Sequence, residues 1–189
     1  MFLSKICFFF VLFFSIVYAN IGPQGFVDYP NEYFVETGTF RGDGIARALR
    51  DGFKYIISLD IDQQCVEAAR IHFKHYENCG DSATHLWPLI ASINKPITFW
   101  LDGHNMYPTP YTKNCPLIEE LDQIKKHSIK SHTIIIDDMH CLNTLYFDYL
   151  SREALIKKVL EINPNYKITY MVGGDLGSHP NNIMVAKIY

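Results

Sequence analysis

The sequence predicts an α/β protein with a mostly parallel seven-stranded sheet, helices on both faces and an antiparallel hairpin at its C-terminal end. From residue 33 onward, short runs rich in β-branched and aromatic residues alternate with segments of helical periodicity, as in βα units. The last two β-rich runs have no helical segment between them, so we expect them to pair antiparallel. Five βα units closed by a hairpin account for the seven strands.

Three β-rich runs open the predicted sheet. Residues 33–38 form the first strand, and a helical pattern follows over 44–52. Residues 55–62 form the second strand, which leads into a helix predicted over 63–76. A weaker third strand is expected at 76–79. These elements form the first half of the sheet.

The second half begins with a strand over 96–102, preceded by a short helix over 83–93. A helix over 115–127 follows, with Pro116 placed in its first turn, where a missing N–H costs nothing. Between that strand and this helix lies the irregular stretch 103–114. Loops of this length in compact domains tend to carry function, so we expect a lid or binding loop.

The remaining elements complete the sheet. Residues 132–138 are almost wholly apolar before their final acids, as a strand covered on both faces must be. A long pattern over 144–162 predicts one continuous helix. The hairpin strands are then expected over 166–172 and 182–189.

The composition is that of a globular domain rather than a disordered chain. The 189 residues are 48% hydrophobic and 20% charged, and their number suits one domain. The formal net charge is −3, without a basic stripe, so a nucleic-acid partner is not expected.

The first 19 residues differ from the rest. Lys5 precedes an apolar stretch over 6–17, and Ala19 offers a small residue at its exit. This arrangement predicts a secretory signal and an exported protein; the alternative is an uncleaved membrane anchor. Residues 20–189 then form the single domain. Its four cysteines are compatible with disulfides if the protein is exported, although their spacing does not show pairing: Cys65, Cys79, Cys115 and Cys141.

A glycine-containing turn follows the first predicted strand. It reads "ETGTFRGDG" over 36–44, with Glu36 ahead of Gly38, and its glycines do not have the nicotinamide GxGxxG spacing. Asp60 lies about twenty residues after the turn, at the tip of the second strand, where it can accept hydrogen bonds from ribose hydroxyls. The alternative is that the glycines only end a strand and that Asp60 caps a loop.

Together with "GDS" at 80–82 and the terminal hairpin, this turn resembles the class I S-adenosylmethionine-dependent methyltransferases, which have a Rossmann-like sheet. The resemblance covers nearly the whole chain after residue 30. It implies that the turn surrounds the methionine end of the cofactor, Asp60 holds the ribose, and the 80–82 segment borders the adenine. The implied cofactor-binding residues are Glu36, Gly38, Thr39, Phe40, Gly42, Asp60, Asp81 and Ser82.

Acids also follow the fourth and fifth predicted strands. Asp102 ends the run "FWLD", and Asp137 and Asp138 end "IIIDD". Neighbouring strand tips are about 4.8 Å apart, so these carboxylates can reach one cation. Crowded carboxylates repel unless a positive group compensates, and a divalent ion, Mg²⁺ above all, would serve.

This second pattern is similar to the metal-dependent O-methyltransferases of the catechol and macrolide-sugar kinds. "LDGHNMY" resembles the sugar enzymes' Asp-Gly-Asp-His-Ser-Tyr, and "IIIDDMH" resembles their Asp-Asp pair. The resemblance implies that Asp102, Asp137 and Asp138 bind the metal and that His104 is the general base. The chain is one residue shorter between Asp102 and the histidine, and Asn105 stands where the catechol enzymes have a lysine.

The sequence therefore favours metal-assisted O-methylation of a small molecule or sugar hydroxyl, with S-adenosylmethionine as methyl donor. His140 can share the role of base or join the metal, and two nearby histidines leave Mn²⁺ or Fe²⁺ open. Tyr107 and Tyr111 are candidates for an aromatic lid on a sugar or phenolic ring. Two alternatives remain: a non-catalytic exported or anchored binding module that keeps the fold, and a metal-dependent hydrolase or hydroxylase.

Overall fold

The computed structural model describes residues 25–73, 76–173 and 179–189. The leader or anchor predicted over 1–19 lies outside these residues. Within the described ranges, no helix has both the length and the apolar character that a membrane span requires.

In the part of the chain that the structure describes, seven strands and five helices follow one another in the predicted order. The strands are β1 (Tyr33–Thr37), β2 (Tyr55–Asp60), β3 (Glu77–Cys79), β4 (Ile97–Leu101), β5 (Thr133–Ile136), β6 (Lys167–Gly173) and β7 (His179–Lys187). The helices are α1 (Asp43–Arg50), α2 (Gln63–Arg70), α3 (Ser82–Ile90), α4 (Leu117–Lys126) and α5 (Arg152–Ile162).

The strands form one sheet in the order β3-β2-β1-β4-β5-β7-β6. β1 to β5 are parallel, whereas β7 runs antiparallel to both β5 and β6. This topology confirms the predicted sheet and hairpin. Because the chain crosses over after β3, the strand order reverses beside β1, and in such sheets ligands bind at that point, outside the carboxyl ends.

Both faces of the sheet are covered by hydrophobic cores. One core joins alternate strand residues such as Val35 and Ile134 to Leu86, Leu121 and Val159 of α3, α4 and α5. The other core joins the intervening strand residues to α1 and to the segment before β1; its members include Phe26, Phe34, Ile45, Trp100 and Val185. Helices therefore lie on both faces, as the apolar central strands predict.

The continuous helix predicted over 144–162 is wrong. A 3₁₀ turn spans Leu145–Phe147, and Asp148 and Tyr149 then have φ values of 49° and 59°, which end the helical path. α5 starts only after Ser151, whose hydroxyl accepts a hydrogen bond from Ala154 N. Of the first six residues of the predicted helix only Phe147 is buried, and the capping serine marks the true start.

Smaller differences concern element ends. The helix predicted over 63–76 ends at Arg70, although Asp62 caps its start by accepting from Gln64 N. Pro116 lies at the N-cap position of α4 rather than inside its first turn. The last strand begins at His179, three residues earlier than predicted. The structure has free thiols at all four cysteines of the domain: Cys65, Cys79, Cys115 and Cys141.

Candidate functional site

The turn after β1 is shaped by close backbone approach. Gly38 has a φ of +84°, and a Cβ there would lie 2.3 Å from the carbonyl oxygen of Asp102. Gly42 has a φ of +83°, and a Cβ there would lie 2.7 Å from the ring of Phe73. Glycine is therefore needed at both positions, and the turn lies directly beside the end of β4.

Two predicted cofactor residues of this turn belong to a buried hydrogen-bond chain. The Ser58 hydroxyl donates to Glu36 Oε1 at 2.6 Å, and the Thr39 and Ser58 hydroxyls are 2.5 Å apart. Glu36 is only 1% exposed. Burial, together with the nearby acids Asp60 and Asp43, raises the pKa of Glu36 to about 8 despite the hydrogen bond from Ser58. Glu36 is therefore a neutral acid at the base of the turn at pH 7.

Asp60 lies at the tip of β2, facing the same turn. Its Oδ2 accepts from Phe40 N at 2.9 Å, and its Oδ1 accepts from Asp62 N at 2.9 Å. A carboxylate has about four acceptor sites, so both oxygens retain capacity for a ribose hydroxyl. Phe40, with a φ of 45° and 39% exposure, lies next to this carboxylate at the surface.

The two residues predicted to border adenine differ in environment. Asp81 caps α3 by accepting from Ala83 N. Ser82 is buried, and its hydroxyl donates to Glu120 Oε1 at 2.6 Å. Burial raises the pKa of Glu120 to about 7, against the hydrogen bonds from Ser82 and Thr37. Glu120 is a second buried acid behind the site, and the sequence analysis missed it.

The strand register brings the acids after β4 and β5 together. Leu101 pairs with Ile136 as the last residues of the two strands, so Asp102 and Asp137 follow at the same level. Asp137 N donates to Leu101 O at 3.2 Å, which extends the ladder past the end of β5. The sheet thus produces the predicted adjacency.

Asp102, His104 and Asp138 form a tight cluster. Each offers one ligand atom, and these atoms lie within 4.8 Å of one another. His104 Nε2 is 2.9 Å from Asp138 Oδ2 and 3.7 Å from Asp102 Oδ1. The Asp102 side chain is 32% exposed and the His104 side chain 11%, so the cluster opens to solvent mainly through Asp102. Two carboxylates and an imidazole are donors that suit a divalent ion.

Asp137 is held behind this cluster. It is 1% exposed, and its Oδ1 accepts from Asp138 N at 2.7 Å and from Asn182 Nδ2 at 3.4 Å. Asn182 also donates to Asp138 Oδ1 at 3.2 Å. Of the three predicted metal ligands, the structure therefore brings Asp102 and Asp138 to the cluster, while Asp137 contacts the backbone and side chains that position Asp138.

The crowding of acids perturbs their ionisation. Burial, the carboxylates of Asp137 and Asp138, and the more distant Glu36 and Glu120 raise the pKa of Asp102 well above its ordinary value. Burial and Asp138 likewise raise the pKa of Asp137 to about 7.

Two groups of the cluster are stabilised in their charged forms. Burial opposes the charge of Asp138, but the hydrogen bond and positive charge of His104 lower its pKa. Burial also opposes protonation of His104, yet its hydrogen bond to Asp138 and the charge of that residue raise its pKa. The imidazolium thus compensates part of the negative charge, and the remaining acids still favour a cation.

His140 lies at the edge of the cluster rather than in it. Its Nδ1 is 2.6 Å from Asn182 Oδ1 and 3.6 Å from Asp138 Oδ1, and its ring stacks on His179 at 4.8 Å. Asp138 makes no side-chain capping bond to the following 3₁₀ turn. The carboxylate of Asp138 therefore does not cap this turn and instead lies near the imidazoles of His104 and His140.

The loop over 103–114 is fastened at its C-terminal end. Asp148 accepts hydrogen bonds from Asn114 N, Asn114 Nδ2 and Cys115 N at 3.0–3.2 Å. Tyr107 and Tyr111 are 81% and 91% exposed. The two tyrosines project into solvent at the rim instead of covering the site.

Among the described residues, a cavity and a groove lie at opposite edges of the sheet. A cavity of about 10 Å³, enough for one water, lies among Asp102, Glu120, Cys115 and Phe147. A wider groove of about 400 Å³ runs along the amino ends of the strands, past Lys54 and Lys95. Because ligands of parallel α/β sheets bind at the carboxyl ends, we assign the site to the first region.

The chain is similar to known proteins in structure and not in sequence. No protein-family model matches the chain, and no curated protein matches it in sequence. Among solved structures, DesVI of Streptomyces venezuelae superposes with a TM-score of 0.55 and 7% identity, over 83% of this chain and 84% of that chain.

Two further structures were solved with the methyl donor or its product. The O-methyltransferase from Bacillus cereus, in complex with SAH, gives a TM-score of 0.54 and 14% identity over 84% of this chain and 74% of its own. The O-methyltransferase TomG from Streptomyces achromogenes, in complex with SAM, superposes with a TM-score of 0.52 and 14% identity. The match covers 83% of this chain and 73% of that chain. The chain therefore has the Rossmann-like fold of the S-adenosylmethionine-dependent methyltransferases, as the sequence predicted.

Sequence reasoning missed three residues that organise the site: Ser58, Glu120 and Asn182. Glu120 had a visible signal, because it lies three residues after Leu117 on the apolar face of its helix. Ser58 and Asn182 had no such signal in the sequence, because each one contacts acids of the site that lie on or after another strand.

Proposed function

We propose that the protein is an S-adenosylmethionine-dependent methyltransferase that methylates an oxygen atom with the help of a divalent metal ion. The observation that carries this proposal is the juxtaposition at the carboxyl edge of the sheet. Gly38 touches the backbone of Asp102, so the turn that would hold the methyl donor and the acids that would hold the metal are in contact. The fold and the SAM- and SAH-bound structures that share it support the methyl-transfer part.

The charge of the site supports a cationic cofactor. Asp60, Asp102 and Asp138 lie around the turn and the cluster, where His104 offsets only part of their negative charge. The methyl donor carries a sulfonium and an ammonium group, which this field attracts. A strongly anionic acceptor would be repelled, so we propose a neutral small molecule or glycan hydroxyl as the methyl acceptor.

Each group has a defined task in this proposal. When bound, the cofactor supplies an electrophilic methyl group, and a divalent ion lowers the pKa of a coordinated hydroxyl. Asp60 binds the ribose hydroxyls, and the carboxylates of Asp102 and Asp138 hold and orient the ion. The bound donor would supply its methyl carbon to the acceptor oxygen, with the carbon–sulfur bond broken as the carbon–oxygen bond forms, and a base at the site would take the hydroxyl proton. Positioning of the acceptor oxygen by these residues would supply a large part of the rate advantage.

Calorimetric titration with SAH tests the methyl-donor site. Asp60→Asn keeps the shape of the side chain and its acceptor oxygen but removes the charge, so SAH affinity should fall roughly 10-fold or more, the worth of a charged hydrogen bond. Asp28→Asn, an exposed acid outside the site, should bind SAH like the unchanged protein. If folded protein binds neither SAH nor SAM, the proposal is wrong and a non-catalytic module is favoured.

The metal requirement is tested separately. Removal of divalent ions with a chelator should abolish methyl transfer to a hydroxyl acceptor without abolishing SAH binding, and added metal should restore it. Turnover that survives both the chelator and Asp102→Ala would show that the ion has no part in catalysis. The proposed export or membrane attachment rests on residues 1–19 and is tested by the N-terminal sequence of the mature protein.

A further inference from the structure

We infer that the metal site binds through one histidine and two carboxylates, with His104 as a ligand and Asp137 outside the coordination shell, and that it selects a first-row transition ion over Mg²⁺. This inference rests on the proposed function for the task of the ion, but not for its binding. It replaces the role of His104 as general base and the role of Asp137 as ligand.

The first observation is the triangle of donor atoms. His104 Nε2 lies between Asp138 Oδ2 and Asp102 Oδ1, at 2.9 Å and 3.7 Å. Oxygen and nitrogen ligands of one ion at about 2.0–2.2 Å are separated by roughly 3 Å, which these distances approach. A small movement of Asp102, the most exposed of the three, would complete the site.

The second observation is that the two carboxylate oxygens of Asp138 have different partners. Oδ1 accepts from Asn182 and lies near His140, whereas Oδ2 points to His104. One oxygen is therefore held by outer groups and the other is turned toward the cluster. Outer hydrogen bonds of this kind fix the orientation of a ligating carboxylate.

The third observation is the position of Asp137. Its Oδ1 accepts the backbone N–H of Asp138 and the amide of Asn182, and the side chain is buried. It holds the loop that presents Asp138. Asp137 is thus a positioning residue, and its neighbour is the ligand.

The donor set determines the preferred ion. Mg²⁺ favours oxygen ligands in strict octahedral geometry and keeps several waters, whereas imidazole suits first-row transition ions such as iron and zinc. Coordination through Nε2 would require His104 to release the proton that it shares with Asp138, so metal binding would release that proton and this nitrogen could no longer act as a base. His140, with 48% of its side chain exposed and its Nδ1 3.6 Å from Asp138 Oδ1, is another imidazole at the edge of the cluster, and we propose it as the base in place of His104.

The test uses metal-free full-length protein, without methyl donor, titrated with Mn²⁺ or Mg²⁺ alone. Mn²⁺ should bind at least 10-fold more tightly than Mg²⁺, and pulsed electron paramagnetic resonance of bound Mn²⁺ should show the coupling of a ligating imidazole nitrogen. His104→Gln should lose that coupling and the preference for Mn²⁺. His72→Gln, which changes an exposed histidine two residues after α2, should keep both.

The adjacent acids provide a matched pair. Asp138→Asn should weaken Mn²⁺ binding at least 10-fold, whereas Asp137→Asn should change it less than threefold. Equal affinities for Mn²⁺ and Mg²⁺, absence of nitrogen coupling, or an equal loss in both aspartate variants would overturn the inference. If His104→Gln does not fold, two measurements still test the inference. They are the nitrogen coupling in the unchanged protein and the Mn²⁺ affinities of Asp138→Asn and Asp137→Asn. If Mn²⁺ behaves as expected but SAH does not bind, the metal site stands and methyl transfer fails.

Discussion

Buried Glu36 predicts an unusual pH dependence of stability. Burial, against the hydrogen bond from Ser58, raises its pKa from 4.5 to about 8 in the folded protein. Between these pH values the folded chain keeps a proton that the unfolded chain has lost. Because the folded state binds more protons there, its stability relative to the unfolded state falls as the pH rises from about 4.5 to about 8.

The size of this effect follows from the shift. Each pKa unit corresponds to about 1.36 kcal/mol, so this one group lowers the free energy of unfolding by up to about 4 kcal/mol between pH 5 and pH 9. Glu36→Gln keeps an acceptor for Ser58 and cannot ionise. Its free energy of unfolding relative to the unchanged protein should therefore increase with pH across this range.

Urea unfolding of both proteins at each pH unit from 5 to 9 measures the difference. Glu67→Gln, at an exposed position on α2, should leave the pH profile almost unchanged. The difference between the Glu36→Gln and parent curves isolates this residue from Asp137 and Glu120, which also have raised pKa values. Parallel curves for Glu36→Gln and the parent would show that Glu36 ionises freely in the folded state.

Three further substitutions, the first with a matched control, test the frame of the site. Gly38→Ala should lower the free energy of unfolding by more than about 2 kcal/mol, since a positive φ and a carbonyl at 2.3 Å both oppose a side chain. Gly52→Ala, also at positive φ but with open space, should cost less, and an equal loss would refute the close-approach argument. Asp148→Ala should cost about 1–2 kcal/mol and speed proteolytic cleavage within 103–114, because the loop loses its fastening hydrogen bonds. Ser151→Ala should cost about 1 kcal/mol in urea unfolding through the lost cap of α5, with an unchanged midpoint as the contrary result.

Periodicity and strand-end chemistry predicted most of the architecture. The apolar runs around Phe99 and Ile135 required central strands covered on both faces, and the missing helix before β7 required a hairpin. The acids after β4 and β5 became neighbours because parallel strands end at a common edge. These are local or pairwise rules, which a sequence shows directly.

Other features depended on contacts between distant segments. The helix predicted through Asp148 breaks because that carboxylate binds the backbone at Asn114 and Cys115, more than thirty residues earlier. Asp137 and Asp138 are adjacent residues of the same type, so the sequence does not show that their roles differ. Asn182, arriving on β7, turns one inward and helps aim the other at His104.

The sequence by itself determined which residue types meet at the carboxyl edge: a glycine turn, acids and a histidine. Only the tertiary structure decided which of them face a ligand and which remain buried. Hydrogen-bond partners and burial set the orientation and ionisation of each carboxyl group, and both depend on strands that are far apart along the chain.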